Sequence, residues 1–313
     1  MPVSENVAVI DVGSNSIKLL IAGPGKGRDR LETVFAETIE TRISQGISGE
    51  LPSLTDKAMQ AGLETICELV RLAQEYHPRA TSIVATSAVR DALNGMDFSA
   101  MVYEATGMEM QVLSGKEEAS LIGKGLRCEP QIAGIHKFIQ MDIGGGSLEL
   151  IRFEHDQIIQ ALSLQLGAVR LTERFVADKD AAIDQATEAA IREHVQAAIT
   201  QSGFNFAPNS MPFIATGGAF TVTRAVLATQ AGTTLENFSP VLDRMQIQQL
   251  KNKVMALPLH ERMCIPHLPA SRADIIPSAL ITIEQVMQLS QRSEIIHSLF
   301  NLRYGVAAEL LRK

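Results

Sequence analysis

The chain has 313 residues, 46% of them hydrophobic, which is enough for two domains with buried cores and leaves no case for disorder. A net charge of −7, no Trp and an aromatic content of 4% argue against a nucleic-acid-binding surface, which needs a basic field and stacking platforms. Cys67, Cys128 and Cys264 are far apart, no apolar run reaches membrane-spanning length and Asp11 interrupts the only candidate leader, so reduced thiols, no membrane association and a cytoplasmic location are expected.

Residues 7–22 and 31–43 read as strands of a meander, joined through Gly23-Pro24-Gly25-Lys26-Gly27. The first contains an apolar run, Val7 to Ile10, then Asp11-Val-Gly-Ser-Asn-Ser16, then a second apolar run from Ile17 to Ala22. A long helix is predicted over 55–76, because Met59, Leu63, Ile66, Val70 and Ala73 recur at spacings of four and three. Ser53 and Thr55 are candidate caps, and Pro78 lies just past its end. A strand at 80–87, a helix to about 106, a strand at 108–113 and a helix at 115–127 follow.

The pattern then restarts. Residues 137–153 and 158–163 form a second meander, built around Asp142-Ile-Gly-Gly-Gly-Ser147. Helices at 168–176 and 181–200, a strand at 212–216, and helices at 219–229, 244–257, 277–290 and 304–312 complete the chain. A meander followed by alternating helices and strands predicts an α/β fold. The boundary is placed near Glu129-Pro130, giving a first domain over 1–129, with helix 304–313 a candidate to join it, and a second over 130–303.

The two glycine patterns lie 131 residues apart, each between two strand-like runs. Glycine permits positive φ and close approach of a ligand to the backbone. Successive amide groups in such a turn make a concave anion site, and the Asp can hold a hydrated divalent cation. One such turn alone carries little weight. Two of them, a domain apart, point to a duplicated phosphate-binding architecture whose loops would face each other across a phosphate chain.

Other segments leave alternatives open. Ser114 and Glu117 form a capping box. Glu118, one residue on, shares a helix face with Leu121 and Ile122, and reads either as a solvated first-turn acid or as a partly desolvated base; spacing alone favours the acid. Arg90, after the strand ending near Ser87, reads as an anion contact or as a surface ion pair with Asp91 or Glu117. Thr216-Gly217-Gly218 is a third glycine turn, at a helix N-terminus that suits an anion or simply joins strand to helix. His155-Asp156 reads as a hairpin turn rather than a metal site, and no P-loop or nucleophile elbow is present.

Taken together, Ile10-Asp-Val-Gly-Ser-Asn-Ser-Ile-Lys-Leu-Leu20, Ala85-Thr-Ser-Ala-Val-Arg90, Leu113-Ser-Gly-Lys-Glu-Glu-Ala119, Met141-Asp-Ile-Gly-Gly-Gly-Ser-Leu-Glu149, Leu166-Gly-Ala-Val-Arg-Leu-Thr-Glu173 and Arg272-Ala-Asp-Ile-Ile-Pro277 resemble the exopolyphosphatase/guanosine pentaphosphate phosphohydrolase (Ppx/GppA) family. The resemblance implies a duplicated ribonuclease-H-like, actin-like ATPase fold, with two domains around a central cleft. It implies Mg²⁺, or another divalent cation such as Mn²⁺, and release of terminal phosphate from inorganic polyphosphate or conversion of pppGpp to ppGpp. Glu118 matches the family's catalytic base and Arg90 a phosphate-contacting arginine. Asp142 and Glu149 match acids near the metal, with Asp11 a further candidate ligand. Gly13, Ser14, Asn15, Ser16 and Lys18, then Gly144, Gly145, Gly146 and Ser147, match the phosphate loops, and Gly217-Gly218 a third.

The chain departs from the family pattern at Ala219, where a Thr is usual, and at Tyr304 in Asn301-Leu-Arg-Tyr-Gly305. It ends before the additional C-terminal domain of long members, so it resembles the short two-domain type, in which a homodimer is common. Two rival readings stand beside hydrolysis: an ATP-dependent kinase on the same fold, and a catalytically weak polyphosphate- or alarmone-binding protein.

Overall fold

The computed structural model describes residues 5–26, 30–45, 47, 51–155, 157–206, 208 and 210–313. Gly27 of the expected connecting turn and Asp156 of the His-Asp dipeptide lie outside the described residues. The chain divides into two compact units, residues 1–135 with 300–313, and residues 136–299. The crossing therefore falls at Ile135/His136 rather than at Glu129-Pro130.

The first unit runs β1 (Val7–Val12), β2 (Ile17–Pro24), β3 (Leu31–Ile39), α1 (Asp56–Gln74), β4 (Ala80–Ala85), α2 (Ser87–Arg90), α3 (Gly95–Thr106), β5 (Met110–Val112) and α4 (Gly115–Arg127). The second runs β6 (Lys137–Ile143), β7 (Leu148–Glu154), β8 (Gln157–Leu164), α5 (Ala168–Phe175), α6 (Gln185–Ser202), β9 (Phe213–Thr216), α7 (Gly218–Gln230), β10 (Val241–Asp243), α8 (Arg244–Ala256), α9 (Leu259–Arg262), a 3₁₀ turn at Ala270–Arg272, α10 (Ile276–Leu289) and β11 (Glu294–His297). Helix α11 (Leu302–Arg312) then rejoins the first unit.

Each unit is built on one mixed sheet. The first has strand order β3-β2-β1-β4-β5, with β1 antiparallel to β2 and parallel to β4. Every residue of β1 is buried, so both of its faces are covered. Ala8, Ile10 and Val12 enter one core with Ile66, Leu69 and Ala73 of α1 and Phe98 and Val102 of α3. The alternate residues Val7, Val9 and Asp11 point to the other face, and α11 packs against β1, β2 and α4. Tyr304 of α11 hydrogen-bonds Thr33 Oγ1 at 2.9 Å and contacts the Phe300 ring, which anchors the helix to β3.

The second sheet has order β10-β11-β9-β6-β7-β8. Its β6 is antiparallel to β7 and parallel to β9. Ile139, Met141 and Ile143 enter the main core, which leaves Gln140 and Asp142 on the opposite face. The two units repeat one plan down to register: Asp11 pairs across its hairpin with Lys18, and Asp142 pairs across its own with Glu149.

Several elements differ from expectation. The helix expected up to about residue 106 breaks between α2 and α3, where the Asn94 side chain bonds Leu54 N at 2.9 Å and Leu54 O at 2.8 Å. Strand β3 stops at Ile39, because the next residues turn back under the first glycine turn. β10 and β11, of three and four residues, are too short to show a period and exist through their pairing partners.

Candidate active site

In the first unit, the β1–β2 turn is closed by Gly13 N donating to Ser16 O at 3.2 Å. Residues 41–44 hold the turn from behind. Thr41 N and Arg42 N donate to Asn15 O at 3.1 and 2.9 Å, and Ser44 donates to Ser14 O through both its N and its Oγ, each at 3.1 Å. In a trans peptide the N–H points opposite to the C=O. Tying back the carbonyls of Ser14 and Asn15 therefore aims the amides of Asn15 and Ser16 the other way, as a concave anion site requires.

The turn's side chains are also fixed. Asn15 donates to Glu40 and accepts from Arg42 Nε at 3.2 Å. Arg42 holds φ of +49°, a left-handed conformation that costs a non-glycine residue energy. Lys18 Nζ lies 3.7 Å from Asp11 Oδ2, and a Cβ at Gly13 would meet the same ammonium at 3.7 Å. Asp11 also attracts Arg303, whose proton affinity desolvation lowers.

Ser14 Oγ lies 3.1 Å from Ser87 Oγ, which links the turn to α2. Arg90, at the end of α2, donates through Nη1 to Glu118 Oε2 at 2.8 Å and to Leu113 O at 3.0 Å. Its Nε lies 3.5 Å from Asp91. The pairing expected with Glu117 is thus corrected. Glu117 closes the capping box with Ser114, which lowers its pKa, and faces solvent, whereas Glu118 is 6% exposed. The cap fixes the start of α4 and so the direction of Glu118 beside Leu121 and Ile122.

In the second unit, Gly144 N donates to Ser147 O at 3.0 Å. Here the start of α5 is the backing. Ala168 N donates to Gly144 O, Val169 N and Arg170 N to Gly145 O, and Arg170 Nε to Gly146 O at 3.0 Å. The amides of Gly145, Gly146 and Ser147 are thereby aimed away from α5. Gly167 makes this possible, since a Cβ there would overlap the backbone of Gly145 and Gly146.

The glycines of both hairpin turns do without positive φ. Among the site glycines only Gly217 has it, at +104°, and a Cβ there would sit 2.7 Å from Asp142 Oδ1. A Cβ at Gly13 would press on Ser16 O at 3.0 Å, whereas one at Gly144 would meet Ser147 O at an ordinary 3.6 Å. Asp142 Oδ2 accepts from Thr216 Oγ1, and Glu149 Oε1 accepts from Ser163 Oγ at 2.9 Å. The Arg272 guanidinium lies directly against Gly218 at the start of α7, beside the first-turn residue Ala219.

Among the described residues no group of three or more His, Cys, Asp or Glu side chains forms a metal cage. The cross-strand pair Asp142 and Glu149 fits a hard cation that takes one or two carboxylates and completes its shell with water and phosphate oxygen, as Mg²⁺ does. Asp11 already faces Lys18.

Sequence reasoning did not single out Arg42, and it quoted Ser87, Thr216 and Arg272 within motifs without giving their side chains a role. Arg42 lies in an irregular segment and Arg272 ends a three-residue 3₁₀ turn, so neither has a periodic pattern to mark it. Thr216 was visible as the first residue of the third glycine turn, but not as a partner of Asp142.

Residues 20–313 match the Ppx/GppA phosphatase family. The chain belongs to that family. It is 29% identical over 302 residues to a protein named exopolyphosphatase 2 from Mycobacterium tuberculosis, covering 92% of each chain. It is also similar to the crystal structure of an exopolyphosphatase from Cytophaga hutchinsonii, with a TM-score of 0.87, 25% identity and 98% of both chains covered. A Ppx/GppA structure from Aquifex aeolicus shares the fold, with a TM-score of 0.75 at 22% identity. This Ppx/GppA protein thus has the duplicated actin-like α/β fold expected of it. Among its described residues no helix is long and apolar enough to cross a membrane.

Proposed function

We propose that this Ppx/GppA protein is an exopolyphosphatase that releases terminal orthophosphate from inorganic polyphosphate, with Glu118 as the base. The observation that carries the reading is the buried Glu118 carboxylate, held by Arg90 on the helix that Ser87 links to the Ser14 turn. The family match and the relative named exopolyphosphatase support the substrate class.

Glu118 takes a proton from water as the water oxygen bonds to the terminal phosphorus. The anhydride P–O bond breaks, and its bridging oxygen leaves on the shortened chain. Arg90 and Lys18 attract phosphoryl oxygens, and the aimed amides of both turns bind phosphate without reorganising, so catalysis is mainly positioning and electrostatics. Asp142 and Glu149 would hold a divalent cation, which when bound neutralises phosphate charge.

The terminal phosphate of pppGpp is bound through the same kind of anhydride, so its conversion to ppGpp belongs to the same proposal. The test is phosphate release from short polyphosphate, long polyphosphate, pppGpp and ATP, side by side, with and without Mg²⁺. Release from polyphosphate alone supports the reading. Tight binding without release supports a sensor instead, and transfer only from ATP to an acceptor supports a kinase.

A further inference from the structure

Gln140 is fully buried on β6, two residues before Asp142 and on the same face of the strand. Its Nε2 donates to Thr216 Oγ1 at 2.9 Å, and Thr216, the cross-strand partner of Asp142 on β9, donates to Asp142 Oδ2. The direction of this chain follows from chemistry. An ionised carboxylate only accepts, so the single hydroxyl proton of Thr216 goes to Asp142, and Gln140 must then present an N–H to the hydroxyl.

Gln140 Oε1 is buried without a hydrogen-bond partner among the described residues. An orphaned buried acceptor destabilises a fold, and an apolar side chain of the same size would carry no such cost. We infer that Gln140 is a positioning residue: through Thr216, which donates to Oδ2, it fixes the orientation in which the Asp142 carboxylate would ligate a divalent cation. This inference rests on the proposed role of Asp142 as metal ligand. Outer partners that orient a ligating carboxylate typically matter by about 10–100-fold in metal affinity.

The test titrates the full chain, without substrate, into Mn²⁺ and follows the free-ion EPR signal, with Tm measured on every variant. Gln140→Leu is expected to weaken Mn²⁺ binding about tenfold or more while Tm stays level or rises. Thr216→Val is expected to weaken it similarly, and the double variant no further, because the two act in series. Gln140→Met, closer in shape, replaces Gln140→Leu if the latter lowers Tm. Wild-type affinity in a folded Gln140 variant, with binding lost in Asp142→Asn, overturns the relay alone. Wild-type affinity in Asp142→Asn, or no Mn²⁺ binding by the wild-type chain, overturns both the relay and the metal role.

Discussion

Arg90 Nη1 donates to Glu118 Oε2 at 2.8 Å, while Nε of the same guanidinium lies 3.5 Å from Asp91. The proposed base thus shares its cation with a second carboxylate, and a phosphate oxygen brought to Arg90 competes for the same N–H groups. Glu118→Gln keeps the shape of the side chain and an acceptor for Arg90. It is expected to lower kcat for phosphate release from polyphosphate by about 10²–10⁴, with little change in Tm. Near-normal release would remove Glu118 as base.

Arg42 holds a left-handed backbone that glycine would adopt without penalty. Arg42→Gly is expected to leave stability level or raised by up to about 1 kcal/mol, offset in part by the lost bond to Asn15. The same variant is expected to raise KM for polyphosphate, because Asn15 and its turn lose a brace. Urea unfolding and steady-state kinetics on one preparation check both halves.

Gly217 has φ of +104° and leaves no room for a Cβ beside Asp142. Gly217→Ala is expected to cost about 1–3 kcal/mol in stability and to reduce phosphate release further than the stability loss explains. The check is a urea midpoint together with activity measured where the variant is fully folded.

Burial, with the nearby Arg224 charge adding to it, lowers the pKa of His297 to about 3, from 6.5. Between those values the unfolded chain binds a proton that the folded chain does not, so stability is lost as pH falls from about 6.5 toward 3. The slope attributable to this residue approaches about 1.4 kcal/mol per pH unit. Urea midpoints at several pH values below 6.5 should fall more steeply for the wild type than for His297→Leu. Equal slopes would mean that other groups carry the acid dependence.

Much of the fold was legible because its cues are local. The period of α1, the Thr55 cap and the Ser114–Glu117 box each lie within a few residues, and all are present. The two hairpins were legible from apolar runs flanking glycine turns. β10 and β11 were not, since strands so short take their identity from β9 beside them.

The sequence by itself determined the duplicated strand–turn–strand units and the residue types proposed to hold phosphate, because backbone period and turn chemistry act between near neighbours. Tertiary structure alone decided which groups meet. Residues 41–44 and the start of α5 draw the turn carbonyls aside, Arg90 pairs with Glu118, and Gln140 reaches Asp142 through Thr216. Those contacts join positions far apart in the chain, and only the packing of strands and helices brings such positions within hydrogen-bonding distance.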